Sequence, residues 1–286
     1  MEAFLIYFLT LGAIFSIGTM GYNVSAGYAG FFTLAHAGIV AVGAYTYALL
    51  TLKLDVPFGL AIIAAMVFSA LVSALLSFAS KKIRGDAFAI LTLWFGFVVV
   101  TVLLNWRDLT RGALGLPGIP HPALFNDKVL LFLFCVIVMI LSYVVLERIG
   151  SSPFGRALGA VRDDETAALA LGKDVVRLRV SSAAISGAFA GLSGALLAVF
   201  LGFIDPNLFG IPLLVQFIGY MVIGGLGRME ASIAGTFLML GVREGVRFLP
   251  FEPELVGALR EIIFAAILGL VILYRPKGIM GKVELE

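Results

Sequence analysis

Apolar runs, each long enough to cross a bilayer, follow one another along almost the whole chain, and one polar stretch breaks them: SSPFGRALGAVRDDETAALALGKDVVRLR, from Ser151 to Arg179. A bilayer core of about 30 Å takes roughly 20 apolar residues per helix, and Pro, Gly and charge clusters divide this sequence into about nine such segments. They fall at residues 3–20, 28–50, 57–79, 87–104, 129–146, 180–203, 212–225, 231–248 and 255–274. The seventh is short for a full span, so either it is a half-helix or its start lies upstream of Pro212.

With 61% hydrophobic and 13% charged residues and a mean hydropathy of +1.07, the chain is not composed like a soluble domain. A spanning β-barrel would alternate apolar and polar positions, whereas these segments are apolar all round. Backbone groups in lipid must be satisfied within the segment. The expected fold is therefore all-α, a polytopic integral membrane helical bundle of about nine transmembrane or half-spanning helices. The first run lacks a basic leader and a small-residue cleavage site, so it reads as a retained helix.

Lys and Arg give the orientation. With these spans, one side holds Lys81, Lys82, Arg84, Arg148, Arg156, Arg162, Lys173, Arg177, Arg179, Arg228, Arg275, Lys277 and Lys282. The other holds Lys53, Arg107, Arg111 and Lys128. The first side is read as cytoplasmic, which places the N-terminus outside and the C-terminus inside a cell (cytoplasmic or inner) membrane crossed many times. The net charge of +2 reflects these flanks, with membrane lipid and no nucleic acid as partner. Cys135 is the single cysteine and lies in an apolar segment, which leaves it a packing role.

The polar break reads as two short helices. Ser152 caps the first, with Pro153 at its first position and an amphipathic stretch to Val161. Asp163 and Asp164 can cap the second, Glu165 adds negative charge at its positive dipole end, and Gly172 suits a left-handed close. Ala167, Ala168, Leu169 and Leu171 then form a shallow apolar knob between basic flanks, suited to a groove on a soluble partner. The competing reading is a loop lying on lipid headgroups, which Arg156, Arg162 and Lys173 favour. Three consecutive acidic residues, Asp163 to Glu165, oppose it.

Transport would need a polar route at membrane depth. Asn23 and the run Gly27-Tyr28-Ala29-Gly30 are expected to loosen the start of the second helix, exposing N–H groups that could receive a carboxylate. Close helix packing explains the same glycines equally well. Thr33 and His36 follow in that segment, and Gln216 and Tyr220 share a face of the seventh. Either a pathway or interhelical hydrogen bonding accounts for them. No metal site is expected, since His36 and His121 lack a cluster of further ligands. Glu244 and Arg247 can pair one turn apart, and Arg243, Arg260 and Glu261 lie near the same end. Alternatively these charges form an external vestibule with Arg107, Asp108 and Arg111 at its rim.

The pattern Gly155-Arg156-Ala157, Ala160 to Glu165, Ala167-Ala168 and Gly172 resembles the ATPase-coupling loop of ABC importer permeases. Thr166 stands where that motif has Glu. Further stretches follow in order: Gly27 to Gly30, Thr33 to Ala37, Gly43 to Tyr45, Arg84 to Leu93, Gly115 to Pro120, Asp205-Pro206 with Phe209, Gly224 to Gly227, and Arg275 to Gly278. As a set they are similar to the LivM-type permease subunits of branched-chain amino acid importers. The usual Gly-Pro turn is replaced around Glu230-Ala231-Ser232, so the eighth helix is expected to begin differently. The family commonly carries more sequence before the first helix.

The resemblance implies a single transmembrane permease domain over residues 1–286, with a coupling loop at 148–179. In that loop Gly155, Arg156, Arg162, Asp163, Asp164, Glu165, Ala167, Ala168, Leu171 and Gly172 are the expected docking residues. The pathway residues would be Gly27, Tyr28, Gly30, Thr33, His36, Gln216 and Tyr220. It further implies a non-enzymatic transport subunit with no cofactor of its own. ATP would be bound by partner ATPase subunits, beside a second related permease, as a heterodimer, and an external amino-acid-binding protein. No GxxxxGK[ST] loop occurs in the chain, in keeping with that division of labour. Leucine, isoleucine and valine are the implied substrates, with urea or short-chain amides as the alternative. A self-sufficient secondary transporter or channel is the rival class, and the scarcity of buried Asp and Glu argues against it. A membrane enzyme finds no catalytic constellation.

Overall fold

The computed structural model describes residues 2–83, 85–246, 253–275 and 277–281. Arg84, Arg247, Pro276 and Lys282 lie outside the described residues, and with Arg247 the expected pairing to Glu244. Twelve α-helices carry the described fold: α1 (Glu2–Asn23), α2 (His36–Leu54), α3 (Phe58–Phe78), α4 (Asp86–Asn105), α5 (Arg107–Thr110), α6 (Lys128–Ser151), α7 (Pro153–Asp163), α8 (Glu165–Ala170), α9 (Val175–Leu201), α10 (Ile211–Gly224), α11 (Met229–Gly245) and α12 (Pro253–Tyr274). Among the described residues, seven stretches are helical, long and apolar enough to cross a membrane. They overlap the first seven expected segments, and α11 and α12 occupy the last two.

Several boundaries differ from or refine the expected ones. The run Gly27 to Gly30 does not open the second helix. It lies at the end of the first, where α1 widens into a π-helical turn at Val24–Tyr28, and α2 begins only at His36. Residues 29–35 form a non-helical crossover. The seventh segment takes the second of its two expected forms, with a start upstream of Pro212: α10 has 14 residues, about 21 Å at 1.5 Å per residue, and the helical turn at Pro206–Phe209 before it brings the stretch to 19 residues. Helices α6 and α9 also extend toward the polar break, leaving α7 and α8 hung between Ser151 and Val175. The eighth helix starts at Met229 without a side-chain cap from Arg228.

Helix α9 is the pillar, because its small residues let three neighbours approach closely. A Cβ on Gly191 would fall 2.6 Å from Ser69 Cβ of α3, and one on Gly43 of α2 would overlap the Gly191 backbone. Ser73 Oγ donates to the Ala183 carbonyl at 2.7 Å and Ser193 Oγ to that of Ile14 at 2.8 Å, tying α3 and α1 to the same helix. The opposite faces of α3, α4 and α6 present Leu75, Trp94 and Ile137 outward, where lipid is the apolar solvent. Cys135 is buried with a free thiol, in the packing position expected of it.

Away from the polar break, strands β1 (Leu116–Pro117) and β2 (Phe203–Ile204) pair antiparallel. Lys53 Nζ donates to the Asp108 carbonyl at 2.9 Å at that same end.

Candidate functional site

The polar break folds as its residues dictate. Ser152 Oγ accepts from the Gly155 N–H at 3.3 Å and Asp164 Oδ1 from the Ala167 N–H at 2.9 Å, so each short helix has a side-chain cap. Gly172 closes the unit at φ +74°. Gly155 has no room for a Cβ, which would overlap the Gly150 carbonyl, and this lets α7 fold back tightly on α6. Arg156 Nη1 donates to the Ser151 carbonyl at 3.0 Å. Asp163 pairs with Arg162 at 2.8 Å instead of capping α8.

Ala168 corrects the expected knob. It is buried with Val161 and Val175, with Leu178 packed against them, because a six-residue helix turns one side back onto α9. The exposed apolar surface is Leu169 and Leu171, 47% and 77% exposed, with Ala167 beside them.

A second constellation lies where α2, α4 and α10 come together. Helix α2 runs from its start at His36 toward the end with Lys53. Helix α10 runs the other way, toward Arg228 at the end where α7 and α8 lie. Lying antiparallel, they set Phe217 of α10 against His36 and Phe209, just before α10, against Tyr45 of α2, and neither start is capped by a side chain. Ala37 and Gly38 of α2, Gly210, Ile211 and Leu214 at α10, Leu34, Phe209, and Leu93, Gly96, Phe97 and Val100 of α4 line one pocket there. Its side chains are aliphatic or aromatic, while two helix starts bring partly positive backbone ends to its wall. The pocket is about 20 Å³, room for about one water molecule.

None of the expected pathway residues lines this pocket. His36 faces α1: its Nε2–H donates to the Gly18 carbonyl at 3.1 Å, and Phe217 meets the ring edge-on at 5.0 Å. Thr33 lies in the crossover, its Oγ1 accepting from the Ala35 N–H at 3.3 Å. Gln216 and Tyr220 are buried one turn apart, with the hydroxyl donating to Gln216 Oε1 at 3.5 Å. The Tyr220 ring packs on Phe15 and Phe264. Tyr28 lies over Gly150, where a Cβ would meet its ring at 2.6 Å. A Cβ on Gly27 would overlap Asn23 Oδ1, so packing requires that glycine. Gly30 takes φ +63°, which suits a residue without a Cβ.

Asn23 is a structural hub. Its Oδ1 accepts from the Gly227 N–H at 3.0 Å, and its Nδ2 donates to the Arg228 carbonyl at 2.8 Å and to Ser232 Oγ at 2.7 Å. The end of α1 is thus stapled to the α10–α11 turn.

Arg243 of α11 pairs with Glu261 of α12 at 3.8 Å. At the end away from α7 and α8, two cavities of about 290 and 550 Å³ share His121, the larger also touching Thr10, Asn126 and Lys128. Arg107, Asp108 and Arg111 line neither.

Sequence reasoning missed Leu34, Gly96, Phe97 and Leu214 because apolar residues in apolar helices carry no distinguishing signal. Only Gly210 and Pro212 mark the α10 start in the sequence.

Seven helical stretches long and apolar enough to cross a membrane, packed around α9, define a polytopic helical membrane protein. The chain belongs to the branched-chain amino acid permease family: the family described as "Branched-chain amino acid transport system / permease component" matches residues 4–272. The high-affinity branched-chain amino acid transport system permease proteins LivM of Salmonella typhimurium and Escherichia coli are each 32% identical over 95% of this chain and 68% of their own length. The permease protein LivH of Salmonella typhimurium is 24% identical over 97% of this chain and 94% of its own. No solved structure matches the chain.

Proposed function

We propose that this chain is one of two permease subunits of an ATP-driven importer that carries leucine, isoleucine and valine into the cytoplasm. ATPase subunits dock on α7 and α8. An external binding protein delivers the amino acid at the opposite end, and the N-terminus is external. The observation that carries this reading is the docking unit itself: two capped helices between α6 and α9 that pack back on both while presenting Leu169 and Leu171 outward. A second, related permease is supported by the relatives, since Salmonella typhimurium has both a LivM and a LivH permease protein similar to this chain.

The pocket chemistry supports a branched aliphatic substrate. Leu34, Leu93, Phe97 and Leu214 suit an apolar side chain, and the first turns of α2 and α10 suit its carboxylate. Urea and short amides would leave their polar groups facing these walls without partners, at a desolvation cost. At about 20 Å³ the pocket is closed to an amino acid. ATP-driven movement of the docking unit opens it by shifting the helix starts against α4.

The test is competition in proteoliposomes holding the complete importer. Labelled leucine uptake is expected to be suppressed by excess isoleucine or valine and untouched by urea or acetamide. Suppression by urea with none by valine would replace the substrate assignment.

A further inference from the structure

Two arginine links run from the docking unit into the crossover that carries the start of α2. Arg162, near the end of α7, donates from Nη1 to the Gly27 carbonyl at 2.9 Å, across 135 residues of sequence. Its stem lies over Gly30, where a Cβ would come 2.7 Å from Arg162 Cγ. Its Nε and Nη2 are held by Asp163 at 2.9 and 2.8 Å, which fixes the guanidinium while Nη1 reaches the membrane helix. The second link starts at Glu165, the first residue of α8. Glu165 Oε2 accepts from Arg179 Nη2 at 2.8 Å and Oε1 from Nη1 at 3.4 Å, with both side chains largely shielded from solvent. The Arg179 guanidinium lies 5.6 Å from the centroid of the Phe31 ring. Phe31 in turn packs on Phe88 of α4 at 4.5 Å.

Both links end on residues 27–31, and the first turn of α2 begins five residues later at His36. The intervening segment has a hydrogen-bonded route to the pocket. Tyr22 Oη donates to the Thr33 carbonyl at 2.6 Å, and the Leu34 N–H donates to Thr92 Oγ1 of α4 at 2.9 Å. Leu34 is itself a pocket wall. The π-helical turn that Arg162 grips already departs from regular α-helix, the kind of local irregularity found where a helix does work.

We infer that Arg162 and the Glu165–Arg179–Phe31 chain are positioning residues that transmit displacement of the docking helices to the crossover and so open the pocket between α2, α4 and α10. The inference rests on the proposed docking of ATPases at α7 and α8. It adds the route by which docking reaches the substrate. Neither arginine touches the exposed Leu169–Leu171 surface in this arrangement, since both reach inward to residues 27–31. Docking and transmission are therefore separable.

The test uses the complete importer in proteoliposomes, with Arg162→Gln, Arg179→Gln and Phe31→Leu compared with wild type for ATPase co-purification, ATP hydrolysis and leucine uptake. Phe31→Leu leaves the docking unit intact and keeps an apolar side chain against Phe88, so it reports on the link even if an arginine variant fails to assemble. Uptake per ATP hydrolysed is expected to fall about tenfold in each assembled variant, with ATPase co-purification unchanged in Arg179→Gln and Phe31→Leu, which lie outside α7 and α8, a coupling loss of the size such networks carry. Arg179→Lys is expected to restore part of it. A Leu34→Cys reporter on a Cys135→Ala background should gain thiol reactivity with ATP in the wild type and lose that response in Phe31→Leu. Uptake per ATP equal to wild type in Phe31→Leu, or an unchanged ATP response at Leu34→Cys, would overturn the inference while leaving the functional reading standing. A wild-type chain that binds no ATPase would overturn both.

Discussion

Tyr22 lies nearly flat on His36, their ring centroids 4.4 Å apart and their planes 13° from parallel, while the Tyr22 hydroxyl donates to the Thr33 carbonyl at 2.6 Å. The stack clamps the beginning of α2 against the last turns of α1, and the His36 Nε2–H completes it by donating to the Gly18 carbonyl. An imidazole so placed supports the crossover mechanically. His36→Gln is therefore expected to lower thermal stability in detergent while leaving the pH profile of uptake between about pH 5.5 and 8 unchanged in shape. Loss of a titration step in that range would assign the ring a proton-carrying role.

Asn23 satisfies three groups on the far side of the α10–α11 turn. Asn23→Ala leaves the buried Gly227 N–H and Arg228 carbonyl without that partner, at a cost of about 2 kcal/mol. A denaturant titration of the purified protein measures it, and a change within error of zero contradicts the hub.

The outer and inner sides of α8 should respond differently. Leu171→Glu is expected to cut ATPase co-purification about tenfold or more with the fold intact, as removal of an exposed apolar anchor does. Ala168→Glu buries a charge among Val161, Val175 and Leu178, so its expected effect is a lower melting temperature of the chain itself. Equal effects of the two variants on co-purification, with neither changing stability, would contradict the orientation of α8.

Gly96 offers a probe of the pocket, because a Cβ there would have its nearest neighbour, the Leu34 carbonyl, at 3.8 Å. Gly96→Val adds bulk to the pocket wall without a backbone clash. Transport of leucine is expected to fall about tenfold relative to valine, the scale on which an apolar pocket discriminates one methylene. An unchanged ratio measured by dual-label uptake would place the substrate route elsewhere.

The spans were legible because a bilayer demands long apolar runs, and the caps at Ser152, Asp164 and Gly172 because each has a local chemical reason. The crossover was not. Phe31, Phe32 and Leu34 are as apolar as the helices around them, and what holds them out of a helix is tertiary: Tyr22 on Thr33, Thr92 on Leu34 and Arg162 on Gly27. Gly27 and Gly30 did mark the irregularity, but it lies at the end of α1 rather than the start of α2. The inward turn of Ala168 and the Glu165–Arg179 pair, 14 residues apart, follow from how α8 folds back on α9 and have no periodic signature.

A chain that forms part of the membrane path of an ATP-driven amino acid importer is indispensable for uptake. The most direct measurement is uptake of labelled leucine into proteoliposomes containing the second permease, the ATPases and the binding protein, with and without this chain, and with ATP or a non-hydrolysable analogue inside. Uptake is predicted only when this chain and hydrolysable ATP are both present. Equal uptake without the chain, or uptake by the chain alone in the absence of ATPases, would contradict the account.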